Sequence, residues 1–589
     1  MVTPLSGTKD SSPTDDSPKP STPAGSTSKK RKRTPKKKTP SVSASTTGNE
    51  SLPGNTVEAT TTVATTLKVS QAPVNILVLD NGGDIIKYGW HRAGERPDTD
   101  ALSQVKHIPN VTARLQQQWT VLAGDQLTQV NQNQLVGVTR STERGVIVNM
   151  GNQIQVWKRL LDLSNVTIPL HTETAKAFGW KKAVGTSKKA KSILEANSEQ
   201  PKDTIPATTC AVLIALPPFY PRAVLDQIAS VWFEDFGFSH VGFCNAQLCA
   251  RQPSPYGTCC VVDLGWSATH IVPTFMKQAL VDAIRTMPVA GRHLINMWKY
   301  FVSYRQWNLM DQEWILREVL HQTGYVSLKF EEELKLARKL PPGIRPYDRE
   351  FVLPDFNKTF EPYAQLPPAL KREQSKVQTK DDDDDEEDED ENDEDFDEKD
   401  AVEEDVDEDE DEDGGSGSDD EERPEEKRRR LLREREAEER RRREMEEQQQ
   451  VLQLSVERFT VPETLFRPTD AGLPSEWPGL PRAIVQSIEA APKDFQAALY
   501  RSIYLVGGLS VLPGLEERLY RELRIIAPCE FDVDITMSKN PVDQAWLGAL
   551  RVSQTESLHV WSVSRDVWAS AARGELWANM ELTKGGHLI

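Results

Sequence analysis

Cysteine is scarce and unpatterned. Six thiols (Cys210, Cys244, Cys249, Cys259, Cys260 and Cys529) are spread over 589 residues without one CxxC pair. This excludes a zinc ribbon or a disulfide-stapled secreted scaffold and suits a reducing compartment. Long apolar runs are missing too: stretches such as Cys210–Leu216 fall far short of the roughly 20 residues that a membrane span requires, so no membrane is expected among the partners. No signal peptide is expected, because Ser, Thr, Pro and Lys dominate the chain up to residue 70. No glycine is followed by lysine, which removes the Walker loop, and GxGxxG, HExxH and GxSxG are absent as well. The DFG triplet at Asp235–Gly237 stands without the companions of a kinase.

What is present is charge, unevenly placed. With 38% apolar and 27% charged residues and a formal net charge of −19, the chain is too polar to be packed throughout. Asp381–Glu422 holds 31 acidic residues and one lysine in 42 positions, a local charge of −30 that leaves the rest at +11. A mildly basic body therefore carries a separate polyanion. Residues 1–70 contain 35 Ser, Thr or Pro and almost no large apolar side chains. Burial there cannot offset the entropy of ordering, so residues 1–74 are expected to be a disordered basic tail. Within it Lys29, Lys30, Arg31, Lys32, Arg33, Lys36, Lys37 and Lys38 have the composition of a nuclear-import signal, which predicts a nuclear location with a cytoplasmic pool.

From Asn75 onward short β-rich runs alternate with helical stretches, the pattern of α/β layers. The expected organisation is a first core segment over 75–379, with an inserted loop at about 171–208, then a charged insertion over 380–450, then a second core segment over 451–589. In Glu425–Gln450 glutamates and arginines recur at i,i+3 and i,i+4 with only two leucines. Charge pairs worth about 0.2–0.5 kcal/mol each, rather than burial, would hold a solvent-exposed helix there.

Three glycine turns suit phosphate. Asp80, Asn81, Gly82 and Gly83 follow the strand ILVL, so backbone N–H groups could face an anion while Asp80 faces a cation and Lys87 adds a positive charge. Val261–Pro273 repeats the arrangement about 180 residues later, with Asp263 and Gly265 closing a strand before the return strand that carries His270. Two such hairpins predict two similar lobes facing one cleft. In Tyr504–Gly514, Gly507 and Gly508 run into a helix, a place where a nucleotide can lie.

DNGGDIIKYG, VVDLGWSATHIVP and VGGLSVLPGLEERL, in this order, resemble the two phosphate hairpins and the adenosine motif of the actin family. The likeness extends through Arg144–Trp157, Val289–Leu294 and Glu457–Pro468, and within the family it is greatest for the nuclear actin-related class. The resemblance implies the actin-like fold shared with Hsp70 and sugar kinases, two lobes around a nucleotide cleft, here with a disordered tail and a charged insertion. It implies a non-catalytic scaffold subunit of a nuclear, Swr-type ATP-dependent chromatin-remodelling complex that exchanges a variant histone into nucleosomes. Partners would then be the other subunits of that complex, histones through the acidic tract, and nucleosomal DNA indirectly. The implied cofactor is ATP or ADP held structurally, with no metal site assigned and no catalytic residue.

Departures from the family pattern bear on chemistry. Asp84 puts a carboxylate near the expected γ-phosphate position, where it should repel. Trp266 stands where actins place a second, cation-side aspartate, and Ser267 replaces the following glycine. His270 matches the histidine that helps polarise the attacking water, but the catalytic glutamine falls on Ala246, and Gln247, one residue on, is expected to point elsewhere. The adenosine-contacting Lys-Glu pair corresponds to Leu320 and His321. Two rival expectations stand beside the scaffold: an ATPase or kinase of the same superfamily using Asp80, Asp263 and His270, and a histone chaperone acting through the acidic tract.

Overall fold

The computed structural model describes residues 75–92, 104–116, 120–130, 135–168, 205–251, 257–354 apart from 277, 361–371, 450–555 and 558–570, with a few isolated positions between 433 and 440. The basic tail, most of the inserted loop and nearly all of the charged insertion lie outside the described residues. The described positions of the Glu/Arg segment, Arg433, Arg435, Ala437 and Arg440, are helical and exposed.

In chain order the elements used below are strands β1 (Asn75–Asn81), β2 (Ile85–Arg92), β3 (Lys106–Pro109), β4 (Thr112–Leu115), β5 (Val121–Ala123) and β6 (Leu135–Thr139), then helix α1 (Met150–Leu163). Strands β7 (Cys210–Leu216) and β8 (His240–Asn245) precede the short helix α2 (Ala246–Ala250). Next come β9 (Cys259–Leu264), β10 (Thr269–Phe275), β11 (Gln278–Ala279) and β12 (Arg285–Met287), followed by α3 (Gly291–Arg305) and α4 (Glu313–Thr323). Strands β13 (Arg349–Val352), β14 (Tyr363–Gln365) and β15 (Val451–Leu454) lead to α5 (Leu480–Glu489), β16 (Ile503–Val506), α6 (Leu515–Ile526) and β17 (Ile535–Met537). Helix α7 (Gln544–Thr555) and β18 (Ser562–Ser564) come last.

Two principal sheets share one plan. The first has the order β18-β8-β7-β1-β2-β3, the second β11-β10-β9-β16-β17 with β12 against β10. In each, an antiparallel hairpin (β1–β2, β9–β10) is extended from its first strand by two parallel strands (β7 and β8, β16 and β17). Fully buried runs such as CAVLIAL on β7 and CCVV on β9 are what parallel strands covered on both faces require. Each sheet has its own core: Leu77, Leu79, Ile86, Val212 and Trp157 pack in the first lobe, and Val262, Leu264, Ile271, Leu316, Leu505 and Leu519 in the second. Strands β4–β6 form a small sheet of their own. The two lobes expected from the repeated hairpin are therefore present.

The chain passes between the lobes through α2 and α7. Trp546 on α7 is fully buried, and its indole Nε1 donates to the Val78 carbonyl of β1 at 3.0 Å. Gly548 lets α7 meet α2 backbone to backbone, since a Cβ there would lie 1.8 Å from the Cys249 carbonyl oxygen.

The two sides of the charged insertion meet in a three-stranded sheet of order β14-β13-β15, with Val352 opposite Val451. The inserted loop is closed at its base by Val166–Thr167 pairing in parallel with Ile205–Pro206.

Candidate functional site

The turns of the two hairpins face one another. Asp80 lies opposite Lys87 across the first hairpin and Asp263 opposite His270 across the second, the same register in both lobes. Lys87 Nζ donates to Asp80 Oδ2 at 3.0 Å. Burial would lower the Lys87 pKa, but the carboxylates of Asp80, Asp263 and Asp543 outweigh it and hold the ammonium above its usual range. Burial also pushes the Asp263 carboxyl up to about 6, against the hydrogen bond from Gln247, with Asp80 raising it further and Lys87 opposing. His270 is buried, and that burial lowers its pKa to about 4, so the imidazole is neutral at neutral pH.

Gln247 departs from expectation. Instead of pointing away, its Nε2 donates to Asp263 Oδ2 at 2.7 Å. The cause is local: Asn245 caps α2, its side chain accepting from the backbone N–H of Gln247 and Leu248. That cap starts the helix so that its second residue, not its first, lies over the end of β9. Gln247 Oε1 and His270 Nδ1 are both buried without a hydrogen-bond partner among the described residues.

Asp84 is embedded among cations. It is not a bare repelling charge: Arg140 Nη1 lies 2.9 Å from Oδ1, an ion pair in which the buried Oδ1 accepts no hydrogen bond, and Arg317 Nη2 lies 2.8 Å from Oδ2. Arg140 also donates to the Asp84 carbonyl at 3.2 Å and pairs with Glu313 at 2.7 Å. Glu313 in turn faces Lys299 at 3.6 Å. Burial would raise the Glu313 carboxyl, but Arg140, Lys299 and Arg317 together draw it below its usual range. The Trp266 ring sits under both guanidinium groups, with centroid distances of 4.6 Å to Arg140 and 5.7 Å to Arg317.

Asn81, grouped with the nucleotide-facing residues, turns into its own lobe: its Oδ1 accepts from Trp157 Nε1 at 3.0 Å and Gln153 Nε2 at 3.3 Å. It positions the hairpin on α1. Gly82 donates its N–H to the Asp80 carbonyl at 3.0 Å, closing the turn. Gly265 follows β9 at the start of the second turn. Gly507 has φ of +91° and donates to Pro541 O at 2.9 Å, while Gly508 faces open space. Leu320 is buried in the second lobe's core and His321 is exposed.

These residues fit a nucleotide unevenly. At Gly508 an added Cβ would meet nothing within 4 Å, so the backbone there is accessible. At the γ-phosphate and cation end the chain fills its own cleft: a Cβ at Gly83 would stand 3.0 Å from Ser267 Oγ and 2.9 Å from Thr142 Oγ1. Ser267 Oγ already accepts from Gly145 N at 3.0 Å, and the Trp266 ring lies against Arg140. The two phosphate turns therefore touch there, and Trp266 brings no oxygen ligand for a cation. Among the described residues no three or more of His, Cys, Asp and Glu gather as a metal site.

Twin hairpin-plus-two-strand sheets, facing aspartate turns and a Gly-Gly turn beside the cleft define an actin-fold protein. The chain belongs to the actin family, whose sequence profile matches residues 71–572. It is similar to actin-related protein 6 of Arabidopsis thaliana, 28% identical over 507 residues and covering 83% of this chain and 96% of that protein. It is similar also to actin-like protein arp6 of Aspergillus fumigatus (26% over 547 residues; 88% and 96%) and to actin-related protein 6 of Dictyostelium discoideum (26% over 499 residues; 83% and 91%).

Proposed function

We propose that the chain is a non-catalytic actin-related scaffold subunit of a nuclear, Swr-type chromatin-remodelling complex that exchanges a variant histone into nucleosomes. The observation that carries the non-catalytic part is the closely lined γ-phosphate end of the cleft, where Gly83 meets Ser267 and the Trp266 ring lies against Arg140 and Arg317. The end where water would attack is lined by Ser267 and Thr142, so the cleft does not turn over nucleotide. The partner assignment rests on likeness to proteins named actin-related protein 6 and on the charge layout. The run Lys29–Lys38 would carry the chain into the nucleus, and Asp381–Glu422 would hold Lys-rich histone segments electrostatically. DNA would be reached indirectly, through the assembled complex. Among the described residues no helix is long and apolar enough to cross a membrane. Affinity purification of the tagged chain from nuclei followed by mass spectrometry tests this reading, which fails if no remodeller subunits or histones co-purify.

One observation favours the ATPase alternative. Gln247 and His270 flank Asp263, each with a buried polar atom left unpartnered, a pair able to orient a water. Steady-state phosphate release by the purified full chain decides between the two. Background release is expected, and release that Gln247→Ala abolishes would establish the enzyme.

A further inference from the structure

The ion cluster around Asp84 joins four segments. Asp84 belongs to the β1–β2 turn of the first lobe, Arg140 follows β6, Arg317 and Glu313 lie on α4, and Lys299 on α3. Helix α4 is anchored in the second lobe by Ile315, Leu316, Val319 and Leu320. Asp84 therefore ties a first-lobe turn to a second-lobe helix through one carboxylate, each oxygen facing a different arginine. Arg140 is 8% exposed, Asp84 18% and Arg317 31%, so water screens the cluster only in part.

The charge balance assigns Asp84 its part. Arg140, Arg317 and Lys299 are three cations, answered by Asp84 and Glu313. Without Asp84, one carboxylate would face three cations. Arg140 and Arg317, stacked on the same Trp266 ring, would then either separate or draw an anion from solution. A polyphosphate is the anion that a cleft of this fold would take from outside. Here the chain supplies the charge itself.

We propose that Asp84 is a built-in anion that latches the two lobes together through Arg140 and Arg317, so that the cleft stays closed without a bound nucleotide. Trp266 is the platform that keeps the two guanidinium groups converged on it. The latch concerns the isolated chain and goes beyond the scaffold assignment, which the nuclear purification tests separately.

The test compares the full-length chain with Asp84→Ala by thermal melting and hydrogen exchange. The wild-type melting temperature should move by less than about 1 °C with millimolar Mg·ATP or with chelator. Asp84→Ala should melt more than about 3 °C lower, with amide exchange at least tenfold faster in residues 82–89 and 313–323 and unchanged in α5. Acetate or phosphate, at an ionic strength matched with chloride, should restore part of the loss in Asp84→Ala and leave the wild type unmoved. If Asp84→Ala does not fold, Arg317→Gln, at the more exposed end, should still speed exchange in 313–323 while Arg140 keeps Asp84 paired. Wild-type melting raised by more than about 4 °C with Mg·ATP would overturn the proposal. So would wild-type exchange in a folded Asp84→Ala, or, where that variant does not fold, in Arg317→Gln.

Discussion

Gln247 Nε2 and Asp263 Oδ2 lie 2.7 Å apart, a hydrogen bond that carries the first helix after β8 across to the hairpin turn of the opposite lobe. It satisfies one oxygen of a carboxyl that burial has pushed up to about 6. The folded pKa therefore exceeds the unfolded one, near 4.

The sign of the resulting pH dependence follows. Below about pH 4 Asp263 is protonated in both states and costs nothing, whereas above about pH 6 folding must bury its charge. Its contribution thus falls as pH rises from about 4 to 6. Asp263→Asn keeps an acceptor for Gln247 and removes the charge, so denaturant melts should show a gain on the order of 1 kcal/mol at pH 7.5 and none at pH 4. Equal losses at both pH values would mean that the carboxyl serves the fold by its shape or by a bound group.

Gly548→Ala should be among the most damaging single changes in the core. The added methyl would sit 1.8 Å from the Cys249 carbonyl oxygen, and neither backbone can move aside without shifting α7 and Trp546. A loss of at least about 3 kcal/mol, or insoluble expression, is expected, against about 1 kcal/mol for the exposed Arg551→Gly on the same helix. A Gly548→Ala chain with wild-type melting would show that α2 and α7 are not in fixed contact.

The charged insertion should be removable. The last described strand before it, β14, and the first strand after it, β15, are the two neighbours of β13 and lie about 10 Å apart, two strand spacings. Replacing residues 381–450 with a short Gly-Ser linker should shift melting by no more than about 2 °C, because loop length costs only about 0.6 kcal/mol per doubling. Pull-down of histone dimers should fall with the deletion, and in the intact chain should weaken steeply with salt. Equal pull-down by both proteins at low salt would make the tract a passive spacer.

Changing all eight cations of Lys29–Lys38 to glutamine should leave a fluorescently tagged chain in the cytoplasm, as imaging of cells lacking other copies would show. Undiminished nuclear signal would place the import determinant elsewhere or on a partner.

The hairpins were legible because their information is local: an Asp-x-Gly turn flanked by apolar strands specifies its own geometry, and the seven-residue spacing of Asp80 to Lys87 and Asp263 to His270 is visible in the letters. The direction of Gln247 was not legible, because it depends on the Asn245 cap, which sets where α2 begins. The partners of Asp84 were invisible for a different reason. Arg140 and Arg317 come from an unremarkable strand end and a helix face that would equally suit solvated charge, and only packing of the two lobes brings them together. Likewise Asn81 shows no sign, in sequence, of preferring Trp157 over a ligand.

The pairing of Val352 with Val451 has a bearing on biosynthesis. Roughly 100 residues, most of them charged, must leave the ribosome between the two strands, which at about 5–20 residues per second takes about 5–20 seconds. Throughout that interval β13 waits with one edge unpaired, and β9 waits longer still for β16. The nascent polypeptide thus spends seconds as an open-edged intermediate while the polyanion emerges beside it, a soluble, self-repelling neighbour that discourages other nascent strands from docking on the exposed edge.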